Sequence, residues 1–330
     1  MVGAMKTSSM ATFGLVLGFV AGACGGGEGD EVDAAGGDDA GGSDGVASDA
    51  PIDGSGDAAS ACGSMSPTLA DLGGTEGIAI AADGTIYYSQ NGAVGRWVPG
   101  GTAVDQWVTL SGATTVWGMA IGPGGILYVA SPGSGGRIWR IDTNEATPAA
   151  TTYMMNAGSA NGVTVGPDGA VYYSDFNATG HVWRVAAANT RTQVTTTAIN
   201  QPNGVLFDGD GTLLVARYST PADIYRLTLT AGAETGRMTA LAGTVGMIGN
   251  PDGLARDEQG RLYVTNNSGG RVLRFGAATS GVFGAREELQ MSVGAAANMA
   301  FGRGALACTD LYVTSSGALR RLAVGATGVP

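Results

Sequence analysis

A single motif recurs six times in this chain, at intervals of 41, 44, 42, 49 and 46 residues, and it limits the fold more than any other feature. The pattern is x-Gly-apolar-x-apolar, a glycine-containing turn, an aromatic or apolar strand and a third strand rich in Arg; the sixth copy is degenerate, with Met299 in the place of the first glycine. The copies start at Glu76 (EGIAIAADGTIYYS), Trp117 (WGMAIGPGGILYVA), Asn161 (NGVTVGPDGAVYYS), Asn203 (NGVLFDGDGTLLVA), Asp252 (DGLARDEQGRLYVT) and Asn298 (NMAFGRGALACTDLYVTS). Alternation of period two, as in Leu262 and Val264 against Tyr263 and Thr265, marks these segments as strands. Repeats of about 40 to 50 residues built from short strands correspond to blades of a propeller. The expected fold is all-β, a six-bladed propeller over 62–330, with segment 63–73 supplying a strand to the last blade.

The remainder of the chain is of a different kind. Lys6, a weakly apolar run from Ala11 to Ala23 and the small residues before Cys24 have the order of an export signal over 1–24. Ala21-Gly22-Ala23-Cys24 resembles a bacterial lipobox, which implies lipidation at Cys24 and a lipoprotein of the cell envelope; cleavage after Ala23 followed by free secretion is the alternative. Segment 25–61 is Gly, Asp, Ala and Ser with only Val32, Val46 and Ile52 as larger apolar residues, a composition for a disordered acidic linker. It carries ten of the 28 acids and no Lys or Arg, so 18 acids face 16 arginines beyond it. The charge of −11 therefore belongs mostly to the linker, and the folded part offers no basic surface for nucleic acid. The only expected membrane contact is the N-terminal lipid. Of three cysteines, Cys62 and Cys308 remain at the two ends of the folded region, and a disulfide between them is expected, with two buried free thiols as the alternative.

The phase of the repeat points to a site. If the first strand of each blade lines the channel, the residues before its glycine, Glu76, Trp117, Asn161, Asn203, Asp252 and Asn298, converge at one mouth. Two carboxylates and neutral amide oxygens form a hard, oxygen-only donor set suited to Ca²⁺, and one histidine with no cysteine cluster argues against zinc. The competing explanation is turn chemistry, because Asn-Gly and Pro-Asp-Gly are common turn sequences. Pro167-Asp168-Gly169 lies between a first and a second strand, where a hairpin belongs, whereas Pro251-Asp252-Gly253 precedes a first strand. The loops after the second strands return to the same mouth, making Asp175, Arg217 and Asn266 candidate substrate contacts alongside Trp117 and Asn298. His181 begins a third strand and reads as a strand-edge residue.

Taken together, Glu76-Gly77, Asn161-Gly162, Pro202-Asn203-Gly204, Pro251-Asp252-Gly253 with Gly260-Arg261-Leu262-Tyr263-Val264, and Asn298-Met299-Ala300-Phe301-Gly302 with Leu311-Tyr312-Val313-Thr314-Ser315 resemble the gluconolactonase and regucalcin (senescence marker protein) family of six-bladed propellers. The resemblance implies a divalent metal held at Glu76, Asn203 and Asp252, with Asn161 as a further ligand or substrate contact. It implies a monomeric lactone or ester hydrolase acting on a small molecule, with Asp252 as the catalytic base. Ser159 stands where regucalcin-like proteins carry an arginine, which implies a different substrate. Gly270-Arg271-Val272-Leu273-Arg274-Phe275 also resembles NHL-repeat propellers, many of which only bind, so a non-catalytic surface scaffold is the alternative function.

Overall fold

The computed structural model describes residues 62–69, 76–133, 135–241, 249–289 and 294–329. The export signal, Cys24 and the linker lie outside the described residues. The rest forms six antiparallel sheets arranged as the blades of a propeller, five with four strands and one with three. The innermost strands are Ile78–Ile80, Met119–Gly122, Ala160–Val165, Pro202–Phe207, Pro251–Arg256 and Ala296–Phe301. No α-helix occurs among the described residues, and none of their helices is long and apolar enough to cross a membrane.

Each sheet is apolar on both faces, because each blade packs between two others. Second strands are accordingly buried on both sides, as Val171, Tyr172 and Tyr173 are in blade three and Leu262, Tyr263 and Val264 in blade five. Six apolar clusters result, one for each junction between adjacent blades. The cluster joining Ile78, Tyr88 and Trp97 to Leu306, Tyr312 and Leu319 brings the first blade against the last and closes the ring.

Closure is reinforced by the start of the described chain. Leu69 exchanges hydrogen bonds with Leu319, N to O at 3.3 Å and back at 2.8 Å, on the outer edge of the three-stranded blade, so the expected contribution of this segment is seen at Leu69. Met65 bonds to Ala305 and Ala307 at 3.1 and 2.9 Å, and Cys62 is disulfide-bonded to Cys308, as the cysteine positions predict. At the other end, Val329 N donates to Arg256 O at 3.0 Å and Glu258 N to Thr327 O at 2.9 Å, laying the last residues across blade five. Val329 there borders an axial cavity of about 230 Å³ lined by the inner strands.

The hairpins between first and second strands show turn chemistry in its ordinary place. Gly84, Gly169, Gly211 and Gly260 all have positive φ, and Asp83, Asp168 and Asp210 cap the turns by accepting from the backbone N–H two residues on.

Candidate metal centre

None of the residues that start the repeats sits in a turn: Glu76 and Trp117 lie two residues before their inner strands, and Asn298 lies within Ala296–Phe301. Asn161, Asn203 and Asp252 belong to the inner strands Ala160–Val165, Pro202–Phe207 and Pro251–Arg256. Pairing with the second strand slips beside them: Pro202 pairs with Arg217, but the next pair is Val205 with Val215, and Pro251 with Asn266 is followed by Leu254 with Val264. Such a bulge lifts the intervening residues out of the ladder and re-aims their side chains. The same tripeptide, Pro-Asp-Gly, is thus a hairpin turn at 167–169 and a bulged strand at 251–253.

The glycine after each of these residues is required by close approach, not by its own φ. A Cβ on Gly77 would lie 2.0 Å from Trp117 O, on Gly118 2.2 Å from Asn161 O, on Gly162 2.3 Å from Asn203 O and on Gly204 2.1 Å from Asp252 O. Each glycine therefore admits the carbonyl of the residue that starts the next repeat. This contact draws the inner strands together at one end and gathers the side chains before the glycines around the axis.

Hydroxyls on four second strands fix the arrangement, a feature that the repeat pattern alone does not single out. Ser89 Oγ accepts from the N–H groups of Glu76 and Gly77, both at 2.7 Å. Ser174 Oγ accepts from Gly162 N at 2.9 Å and donates to Asn203 O in the next blade at 2.6 Å. Thr265 Oγ1 bridges Gly253 N to Ala297 O, and Thr314 Oγ1 bridges Asn298 N to Glu76 O across the ring closure. The signal is visible as Ser or Thr at the fourth position of IYYSQ, VYYSD, LYVTN and LYVTS; the other two blades carry Ala130 and Ala216 there.

Within this frame Asn161, Asn203 and Asp252 are almost fully buried, with 3%, 2% and 2% of their surfaces exposed. Asn161 Oδ1, Asn203 Oδ1 and Asp252 Oδ1 are buried without a hydrogen-bond partner. Three such oxygens on adjacent inner strands carry a large desolvation cost unless something electropositive joins them. Asp252 Oδ2 accepts from Asn267 Nδ2 at 3.0 Å. Burial pushes the Asp252 carboxyl up to about 8, against hydrogen bonds from Asn267 and Asn203 that pull it down. Burial also raises the Glu76 carboxyl well above the usual range, with the Asp252 charge adding to the rise. The two carboxylates thus repel each other in a poorly solvated site, the electrostatic condition that a bound cation relieves.

The other candidates divide by position. Trp117 stands at the mouth with its ring edge-on to Phe176, centroids 5.8 Å apart, and Phe176 in turn meets Tyr218 at 5.3 Å. Asn298 lines the axial cavity. Asp175 Oδ1 accepts from Ser159 N at 2.8 Å, and Asn266 Oδ1 accepts from Asn250 N and Gly269 N at 3.4 and 3.1 Å, so both hold rim loops. The Arg217 guanidinium lies over the Tyr225 ring at 5.2 Å. His181 Nδ1 is bonded to Thr195 Oγ1 at 2.9 Å, at the strand edge where the sequence places it.

Of the three residues one position further along, Phe176, Tyr218 and Asn267, the last bonds to Asp252, and Phe176 packs between Trp117 and Tyr218. The backbone N–H groups of the three donate to Ser159, Gln201 and Asn250 O at 2.9, 3.0 and 2.9 Å, so they occupy equivalent positions in three consecutive blades. Burial raises the Tyr218 phenol, and the charges of Asp252 and Glu76 raise it further, which places its hydroxyl within their field.

These residues fit a hard divalent cation. Among the described residues no three His, Cys, Asp or Glu side chains converge; the side-chain oxygens gathered here come from two carboxylates and two amides. That composition suits calcium, whose shell accepts carboxylate and amide oxygens together.

The sequence profile described as "SMP-30/Gluconolactonase/LRE-like region" matches residues 74–317. No curated protein sequence matches the chain. Among solved structures, a gluconolactonase from Xanthomonas campestris superposes with a TM-score of 0.62 at 21% identity, covering 79% of this chain and 89% of its own. The calcium-binding protein regucalcin from Agrobacterium tumefaciens gives 0.61 at 20% identity, covering 81% and 96%. A luciferin-regenerating enzyme gives 0.61 at 17% identity, covering 79% and 94%. At these identities the likeness is one of fold.

Proposed function

This chain belongs to the SMP-30/gluconolactonase/LRE-like family, and from that premise we propose that it is a divalent-metal-dependent hydrolase of a small lactone or ester. The observation that carries the reading is the group of three unpartnered buried oxygens, Asn161 Oδ1, Asn203 Oδ1 and Asp252 Oδ1, beside the raised carboxyl of Glu76. Glu76, Asn161, Asn203 and Asp252 would hold the cation, with Ca²⁺ the best match to the donors.

When bound, such a cation supplies Lewis acidity toward a carbonyl oxygen. The chain's own part is to hold the donors rigid through the interblade glycine contacts and hydroxyl bridges, so that little reorganisation accompanies reaction. Asp252 is held by Asn267 through Oδ2, which leaves Oδ1 buried and without a partner. Its carboxylate accepts the proton of the attacking water and later returns it to the leaving alkoxide.

Export through the signal at 1–24, with lipidation at Cys24 or release after Ala23, is part of the same proposal. Its support is the composition of the N-terminal segment and the Cys62–Cys308 disulfide, a bond that persists in oxidising compartments.

The test is a calorimetric titration of the protein with Ca²⁺, comparing wild type and Asp252→Ala, alongside hydrolysis of sugar, aliphatic and aromatic lactones. Calcium binding lost in the variant, together with metal-dependent turnover, supports the reading. Calcium binding with no turnover across the panel converts it to a ligand-binding propeller. Absence of divalent-cation binding in wild type removes it.

A further inference from the structure

Among the described residues, the mouth above the proposed cation cluster has two unlike halves. On blades two to four, Trp117, Phe176 and Tyr218 form a continuous arc of half-buried rings in edge-to-face contact. None of the three belongs to the interblade cores. Large aromatic side chains left partly open at the mouth of a buried polar site are surface for a ligand, since packing inside the blades would have covered them. The position that Phe176 and Tyr218 occupy is taken by Asn267 in blade five and, through the same repeat register, by Ser316 in blade six and Asn91 in blade one. With Glu76 and Asp252, these residues make the opposite half polar and acidic.

We propose that the arc Trp117, Phe176 and Tyr218 sets the substrate class: a small lactone or ester carrying a flat apolar or aromatic body, in preference to a polyhydroxylated sugar lactone. This rests on the hydrolase reading for the word substrate, but the binding preference stands by itself. A flat ring covers the aromatic arc and loses only poorly held water. A polyol placed there would bring several hydroxyls against ring carbon, while the Tyr218 hydroxyl is turned to Asn267 Oδ1 at 3.4 Å, and unpaired hydroxyls cost affinity. The ligand's carbonyl then points away from the arc, toward the half that holds Glu76 and Asp252. Trp117 and Phe176 come from different blades, so the arc is built by the ring as a whole and is as rigid as the interblade contacts beneath it.

The experiment separates this inference from the hydrolase reading by using unreactive lactams. Binding of 3,4-dihydroquinolin-2-one, the lactam of an aromatic six-membered lactone, and of D-glucono-δ-lactam is measured by calorimetry on the full-length protein with Ca²⁺ present. Wild type, Phe176→Ala and Trp117→Ala are compared, with Phe176→Leu as a variant that keeps apolar bulk, and melting curves report folding for each. The expected result is tighter binding of the aromatic lactam, a preference that drops about ten-fold in each alanine variant and less in Phe176→Leu. Preference for the sugar lactam in wild type, or a preference unaltered by Phe176→Ala, overturns the inference. Hydrolysis of the two parent lactones is followed in parallel. Aromatic-lactam binding without turnover of either lactone supports the arc and removes the hydrolase reading, whereas sugar-lactone turnover with sugar-lactam preference does the reverse.

Discussion

Asn267 donates from Nδ2 to Oδ2 of Asp252 at 3.0 Å, and Asp252 Oδ1 is left buried without a partner. One oxygen of the carboxylate is thus oriented by the protein, and the other is free for a cation or a water. Asn267 comes from the loop after the second strand of the blade whose inner strand carries Asp252, so a single blade supplies both the acid and the group that aims it.

This pairing makes a graded prediction for metal affinity. Asp252→Ala removes a charged donor and is expected to abolish measurable calcium binding. Asn267→Ala leaves all proposed donors in place but removes one of the two side-chain hydrogen bonds to the carboxyl, and losses of roughly 10- to 100-fold are usual when a partner of a ligand is removed. Calorimetric titration of both variants checks the order. Equal affinities for Asn267→Ala and wild type would show that Asp252 is positioned by something else.

The raised carboxyl of Asp252 sets a pH dependence of definite sign. Its ordinary value is 3.8 and burial takes it to about 8, so between these limits the cation-free folded state keeps a proton that the unfolded chain has released. Stability from this group is fully present below about pH 4 and is lost as pH rises toward 8. The Glu76 shift has the same direction. In EDTA, wild type is expected to lose more melting temperature between about pH 5 and pH 8 than Asp252→Asn, which has no proton to lose. Calcium, which binds the deprotonated form, is expected to bind more tightly as pH rises to about 8 and to restore wild type there. Parallel pH profiles for the two proteins would exclude Asp252 as the source.

The propeller was legible because a repeat of period 41 to 49 leaves few other folds, and the ring of Glu76, Asn161, Asn203 and Asp252 because the repeat fixes their phase. What could not be read was the rim, where the candidates Asp175, Arg217 and Asn266 end the second strands and brace loops or lie over Tyr225. One residue later, Asn267 bonds to Asp252 and Tyr218 feels the charges of Asp252 and Glu76, while Phe176 joins Tyr218 to Trp117. A shift of one residue changes which way a side chain faces, and periodicity cannot say at which residue the strand ends. The bulges at 202–205 and 251–254 were hidden for a related reason, since a slipped ladder keeps the same apolar pattern on both sides of the slip.

Two glycines that look alike in sequence are expected to respond very differently to alanine. Gly169 turns a hairpin with φ +72°, and a methyl group there would meet nothing within 4 Å, so its cost is the left-handed backbone alone, about 1 kcal/mol. At Gly204 the methyl would lie 2.1 Å from Asp252 O, in the contact between the inner strands that carry the proposed metal donors. Relief requires moving blade four from blade five, and a cost of about 3 kcal/mol or more is expected. Chemical denaturation gives the stabilities, and calcium titration of Gly204→Ala is expected to show weakened binding that Gly169→Ala does not share. Similar losses at the two sites would mean that the interblade contact yields easily.

Cys62 and Cys308 close a span of 246 residues, and the fold gives that bond a local task as well as a global one. It anchors the segment whose Leu69 pairs with the outer edge of the last blade at Leu319. Removing a native disulfide typically costs about 2–5 kcal/mol, with long loops toward the upper end in the chain-entropy account. Cys308→Ser is therefore expected to lower stability by that amount, and reductant to lower the melting temperature of wild type but not of the variant. Hydrogen exchange locates the effect. The Leu319 amide, bonded to Leu69 O at 2.8 Å, should exchange faster in the variant, while the Gly162 amide bonded to Ser174 keeps its protection until global unfolding. If Leu319 stays as protected as before, residues 62–69 are held by their own packing and the disulfide acts only on the unfolded chain.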